Sequence, residues 1–158
     1  MILSDFEIKR RVKQGILKVD PFHEDDLTPN GIDLRLGKRL LNLETGEDVE
    51  LGVTTLKPRH SYIAVTEQWI DMPKDLVAVV SLKSTWARAG FLIPTTVVDA
   101  GYSGRLTLAF YTGPRPMEVR KGVRIWHLIF FESHLSTGYK GKYQNSNDLK
   151  PADFTNVI

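Results

Sequence analysis

The stretch Val97-Val98-Asp99-Ala100-Gly101-Tyr102-Ser103-Gly104-Arg105-Leu106-Thr107-Leu108-Ala109-Phe110-Tyr111 decides how this chain is read. A carboxylate closes one apolar run, two glycines bracket an aromatic, and a second run follows. Both runs are β candidates, Gly90 to Val98 and Arg105 to Tyr111, with turn residues between them. In the ordinary reading the connection is a β-turn in which Asp99 bonds its own backbone and Tyr102 packs. In the functional reading Asp99 is a general base with an aromatic platform beside it. The residues alone leave both open.

Outward from this point the same pattern repeats. Asn30-Gly31-Ile32-Asp33-Leu34-Arg35 opens a half-buried strand with Ile32, Leu34 and Leu36 on one side and Asp33 and Arg35 on the other, a surface ion pair being the ordinary explanation for Asp33. Further strands are expected at Ser61 to Thr66, Asp75 to Leu82 and Val123 to Glu132. Ser4 and Glu7 form an S-x-x-E capping box, with Leu3 and Ile8 placed as a hydrophobic staple, so a short N-terminal helix should run through KRRVKQ and stop at Gly15. Several short strands with one helix predict a mainly β fold, a sandwich or small distorted barrel.

The chain has 158 residues, 42% hydrophobic and 25% charged, with 12 Gly and 8 Pro. These values suit one compact domain rich in turns, and no internal repeat, low-complexity tract or linker divides it. The segment 133–158 is polar and expected to be a mobile tail until something holds it. There is no cysteine, which excludes disulfides, thiolate zinc and a cysteine nucleophile. The opening MILSDFEIKRR lacks the layout of a secretory signal, and no apolar run approaches a membrane span, so a cytoplasmic protein is expected. A net charge of +2 implies no nucleic-acid coat, although a local anion site is compatible with it.

His23, His60, His127 and His134 show no metal-pair spacing, and the loops of P-loop NTPases, Rossmann domains and serine hydrolases are missing. Lys83-Ser84-Thr85-Trp86-Ala87-Arg88 follows an apolar run. Its two cations, two hydroxyls and backbone N–H groups could hold a phosphate chain, or Ser-Thr could simply cap a helix.

Taken in order, these segments resemble the dUTPase and dCTP deaminase superfamily. NGIDLRLG is similar to S-V-D-L-R-L-G, KSTWARAG to R-S-S-x-A-R-x-G, and VVDAGYSG to the third dUTPase motif. KGVRIWHLIFFE is similar to K-G-x-R-I-x-Q-L-x-F-E, GKYQNSNDLKP to the tail of the deaminase branch, and the opening ILSDFEIKRRVKQGILKVDPF to that branch's N-terminus. The resemblance implies a dUTPase-like β-clip, a distorted barrel of jelly-roll type, assembled as a homotrimer with nucleotide sites at subunit boundaries. It further implies a small-molecule substrate, no nucleic acid and no membrane.

Within that family one branch hydrolyses dUTP to dUMP and pyrophosphate, another deaminates dCTP, and some members do both. The deaminase strand reads like V-L-E-F-Y, and its glutamate shuttles protons; here that position is Ala109, whose methyl group can do neither. Leu92, Thr96 and Val97 stand where bacterial deaminases tend to carry histidine, histidine and arginine. The phosphate end is retained. By resemblance Asp99 activates the attacking water, Mg²⁺ rides on the triphosphate with Asp33 ordering its water shell, and Lys83, Ser84, Thr85 and Arg88 grip phosphates of a neighbouring subunit's site. Tyr102 packs on the deoxyribose, Thr95, Thr96, Val97 and Thr107 surround the base, and Lys142, Tyr143 and Ser146 come from the closing tail. Lysine at 83 gives up the bidentate fork of arginine, and His127 replaces a glutamine.

The resulting expectation is a Mg²⁺-dependent dUTP diphosphatase on a deaminase-type scaffold. The alternatives are a dCTP deaminase or bifunctional enzyme, and, from another class, a non-catalytic nucleotide-binding regulatory barrel.

Overall fold

The computed structural model describes residues 1–155 and Val157. In chain order the elements are α1 (Asp5–Lys13), β1 (Lys18–Asp20), a 3₁₀ turn (Glu24–Asp26), β2 (Leu27–Thr28), β3 (Gly31–Asn42), β4 (Asp48–Glu50), β5 (Val53–Leu56), β6 (Ser61–Asp71), β7 (Leu76–Leu82), α2 (Ser84–Arg88), β8 (Thr96–Val98), β9 (Ser103–Tyr111), β10 (Met117–Arg120) and β11 (Arg124–Glu132). The expected mainly β fold is what forms. One curled, antiparallel sheet runs β1-β6-β3-β11-β7-β8, with β9 also on β6 and β2 and β4 on β3, while β5 and β10 pair separately.

Helix α1 starts as the sequence requires. Ser4 Oγ accepts the Glu7 amide at 3.3 Å, Leu3 and Ile8 are buried, and Gly15 leaves the helix at φ +69°. Glu7 does not turn back to complete the capping box. It reaches forward to Arg10 (2.5 Å) and Arg11 (2.9 Å), cations one turn on that offer a charged partner instead of an amide. These guanidiniums pull the Glu7 carboxyl down to about 2.

The core is filled by alternate residues of the long strands. Ile32, Leu34 and Leu36 of β3, Ala78 and Val80 of β7, Leu106, Leu108 and Phe110 of β9, and Leu128 and Phe130 of β11 are all buried. The complementary residues of β9, Arg105, Thr107 and Ala109, therefore share the opposite face. Gly90 to Val98 does not form the expected continuous strand. Only Thr96–Val98 pairs with β7, and Leu92 makes an isolated bridge to Tyr111; Pro94 between them has no N–H for a ladder.

The segment after β11 lies along β9. Tyr139 N–H donates to Ala100 O (2.8 Å), Asn145 N–H to Ser103 O (2.7 Å), and Arg105 N–H to Ser146 O (2.7 Å). Among the described residues no helix is long and apolar enough to cross a membrane.

Candidate active site

Strand β9 supplies one wall of a cavity of about 430 Å³. Thr107 and Ala109 project from it; Thr96, Val97 and Asp99 come from β8 and the turn after it, Tyr102 from the same turn, and Tyr139, Tyr143 and Ser146 from the C-terminal segment. Ile63, across from Ala109 in the β6–β9 ladder, adds an apolar side. Most of the wall is apolar, with a few polar groups converging, as small-molecule sites require.

The turn is built by its glycines. Gly101 sits at φ +79°, where a Cβ is unfavourable, and it lies against Gly138 and Tyr139. A Cβ on Gly104 would meet the Tyr102 hydroxyl at 2.7 Å and the Ser146 amide nitrogen at 3.0 Å. The glycines of VVDAGYSG thus admit the tail. Tyr102 is buried, donates its hydroxyl to Arg105 O at 2.9 Å, and meets Tyr139 edge-on with ring centroids 5.6 Å apart. Burial, seconded by Tyr139, pushes its phenol up to about 12, so it stays neutral at physiological pH. Asp99 stands exposed at the cavity wall; its backbone C=O accepts the Tyr102 amide at 3.1 Å to close the turn.

A different cleft, about 240 Å³, gathers Asp33, Lys83, Ser84 and His127. Asp33 is not a surface residue: it is 3% exposed, crowded by His127, its cross-strand partner on β11, and by Lys83 just after β7. Its two oxygens are both engaged, one by Lys83 Nζ and one by His127 Nδ1 at 3.2 Å. Burial pushes the Asp33 carboxyl up, but the hydrogen bonds from His127 and Lys83 outweigh it and hold the group below its ordinary value. Ser84, Thr85 and Arg88 lie exposed on α2, and Thr95 is exposed before β8. Lys142 donates to the backbone C=O groups of Asp153 and, at 3.3 Å, Thr155. One chain thus brings Thr96, Val97, Asp99, Tyr102, Thr107, Ala109, Tyr143 and Ser146 together in the first cavity and leaves Lys83, Ser84, Thr85, Arg88, Thr95, His127 and Lys142 outside it.

Sequence reasoning missed Gln144 at the site and the buried Asp26 away from it. Gln144 donates to Gly101 O (3.0 Å) and accepts the Ser103 amide (2.9 Å), fastening the tail at the turn; it is the fourth residue of the quoted GKYQNSNDLKP. Asp26, 1% exposed, accepts a two-pronged pair from Arg35 at 2.7 and 2.8 Å and a contact from Arg124 at 2.9 Å. No local pattern marks it.

For a divalent cation the donor set is sparse. Among the described residues no three His, Cys, Asp or Glu side chains gather, and Asp33 is already committed to Lys83 and His127. These residues do not make a metal cage, so Mg²⁺ fits here only as a companion of ligand phosphates, with Asp99 the carboxylate free to face them.

Comparison with known proteins adds the lineage. The dCTP deaminase-like family model matches residues 2–52 and 45–133. A dCTP deaminase of Ignicoccus hospitalis is 36% identical over 172 residues, covering 95% of this chain and 96% of the relative. A probable deoxyuridine 5′-triphosphate nucleotidohydrolase of Sulfolobus islandicus rod-shaped virus 1 is 35% identical over 152 residues, covering 94% and 96%. Among solved structures, the dCTP deaminase from Agrobacterium tumefaciens superposes with a TM-score of 0.71 at 24% identity, covering 84% of this chain and 48% of that one. A dUTPase from phage phi11 of S. aureus, described with a structural Mg(II) ion, gives 0.52 at 14% identity over 80% of this chain and 96% of that one. At these identities the structural likeness speaks to the fold.

Proposed function

From its membership of the dCTP deaminase-like family, whose similar chains carry both deaminase and dUTPase names, we propose that this chain is a dUTP diphosphatase. The observation that carries the proposal is the acid–base inventory of the cavity: among the described residues Asp99 is its one carboxylate, and Ala109 presents only a methyl group to it. Replacing a ring amine by water needs a group that shuttles protons at the pyrimidine. The phenol of Tyr102, pushed up to about 12 and spent on Arg105 O, does not supply one.

Phosphate hydrolysis asks less of the protein. Asp99 takes a proton from a water whose oxygen forms a bond to the α-phosphorus; the bond from that phosphorus to the bridging oxygen breaks, and pyrophosphate leaves with the electron pair. Mg²⁺ arriving on the triphosphate would neutralise charge on the phosphate oxygens. Tyr102 and the β8 turn enclose sugar and base. In this proposal the unit is a homotrimer, and Ser84, Thr85 and Arg88, exposed on α2 and outside this cavity, serve a neighbouring subunit's ligand. Lys83, tied to Asp33 and lining the same cleft as Ser84, joins them on the phosphate side. A sedimentation measurement showing a monomer would remove this shared site.

The names of most similar chains favour a second reading, dCTP deamination. Incubating the protein and Mg²⁺ with dUTP or dCTP separates the two. Pyrophosphate from dUTP without ammonia from dCTP supports the proposal; ammonia from dCTP overturns it; silence in both indicates a binding protein.

A further inference from the structure

Beside the nucleotide cavity lies another, of about 450 Å³, where two ladders part. Strand β3 loses register with β6 between Leu36 and Leu40, and β6 loses register with β9 between Val65 and Trp69. The walls of this opening carry three cations, Lys38, Arg105 and Lys121, against one carboxylate, Glu67. The lysines are loosely committed: Lys38 stands 4.0 Å from Asp148 and Lys121 4.0 Å from Glu67, with side chains 57% and 55% exposed. Solvated pairs at that distance contribute little and are readily displaced. Arg105 pairs with no carboxylate among the described residues, and its side chain meets only the Asn147 amide oxygen, at 3.4 Å.

Excess positive charge in a concave, largely polar site favours an anion, and a guanidinium flanked by two ammonium groups suits phosphate oxygens. The volume exceeds what one phosphate group fills. We propose that this cavity is a second anion site, which takes a phosphate-bearing ligand of the pyrophosphate class, and that it communicates with the tail through Arg105. The proposal does not depend on which reaction the first cavity supports. Arg105 lines both cavities; its amide donates to Ser146 O and its guanidinium to Asn147. An anion that draws Arg105 therefore bears on the stretch of tail that closes the first cavity.

The test is calorimetric titration with sodium pyrophosphate, without Mg²⁺, of the wild type, of Arg88→Ala, and of a Lys38→Glu, Lys121→Glu double variant. Since both lysines are more than half exposed, the double variant should keep its circular dichroism and melting temperature. Arg88→Ala should retain pyrophosphate binding while the double variant weakens it about tenfold or more. Equal affinity and stoichiometry in the double variant and the wild type would overturn the site, as would complete loss in Arg88→Ala. Repeating the titration with dATP distinguishes a nucleotide's phosphates from the free anion, the tighter of the two identifying the source. Hydrogen exchange over residues 143–150 should slow with pyrophosphate in the wild type and in Arg88→Ala but not in the double variant; no change in the wild type would overturn the link to the tail.

Discussion

Gly101 and Gly138 pass so close that a Cβ on Gly101 would stand 2.8 Å from the Gly138 Cα and 3.0 Å from the Tyr139 amide nitrogen. The tail can lie over the cavity only because Gly101 lacks a side chain; a Cβ on Gly138 would stand 3.8 Å from the Gly101 Cα, an ordinary contact, and what constrains Gly138 is its φ of +87°. Gly101→Ala adds that clash to an unfavourable φ of +79°, a combined cost of about 1–3 kcal/mol. The backbone of Gly138 must move, loosening Tyr139, Tyr143 and Ser146 from the cavity. KM for dUTP should then rise about tenfold with the fold intact, and trypsin should cut after Lys140 or Lys142 faster than in the wild type. An unaltered KM together with unaltered proteolysis would disconnect the tail from substrate binding.

Asp99→Asn tests the chemistry directly. The exposed carboxylate shares no ion pair among the described residues that the change would orphan, so folding should be untouched. The amide can hold a water but cannot take its proton, and kcat should fall about 10²–10⁴-fold while dUTP still binds. Rapid-quench kinetics with a parallel binding titration read both quantities. A kcat within a few-fold of the wild type would remove Asp99 from the base role.

Tyr102 gives a pH signature. In the unfolded chain its phenol ionises near ~10, whereas in the folded protein it ionises at about 12. Between those values the unfolded chain has lost a proton that the folded one keeps. The stabilisation is therefore complete below pH ~10 and is lost as pH rises towards 12. Tyr102→Phe keeps the ring and removes the hydroxyl bonded to Arg105 O, at a cost of about 1 kcal/mol near neutrality. Urea unfolding from pH 9 to 11.5 should show a shallower fall in the variant than in the wild type. Parallel curves would mean that the phenol is not held as described.

The alternation of strands, the capped helix and the Asp99–Gly104 turn were legible because each is a local pattern of a few residues. The environment of Asp33 was not. Its alternation places it on the polar side of β3, and whether water or protein covers that side depends on Lys83 and His127, 50 and 94 residues away. The two- to four-residue strands β1, β2, β4, β5 and β10 are too short to show a period; β1, β2 and β4 exist because a longer neighbour offers an edge, and β5 and β10 because each pairs with the other. Tail residues were recognised by resemblance, but no property of Gln144 alone says that it spans Gly101 and Ser103. Arg105 read as one polar position in a strand; its place between two cavities comes from the broken β6–β9 register.

In the proposed function Ala109 carries the choice between reactions, and placing a carboxylate there asks how much of deamination resides in one side chain. The methyl group shares its face of β9 with Thr107 and sits opposite Ile63, so a glutamate would enter the cavity rather than the core. It would still lack a partner that shares its proton. Among the described residues Ile63 lies across from it and Thr107 shares its face, and the same cavity holds Thr96, Val97 and Leu108; the threonine hydroxyls can donate a hydrogen bond to a carboxylate but do not titrate near neutral pH. Beside the apolar part of this wall the new acid should titrate above its usual range. Ala109→Glu should therefore release no measurable ammonia from dCTP and should weaken dUTP binding about tenfold, by burying a charge beside the base. Coupled-enzyme ammonia detection over a pH series reads the first quantity and calorimetry the second. Appreciable deamination by the single variant would show that the surroundings already supply a proton path, and that Ala109 alone separates the two activities.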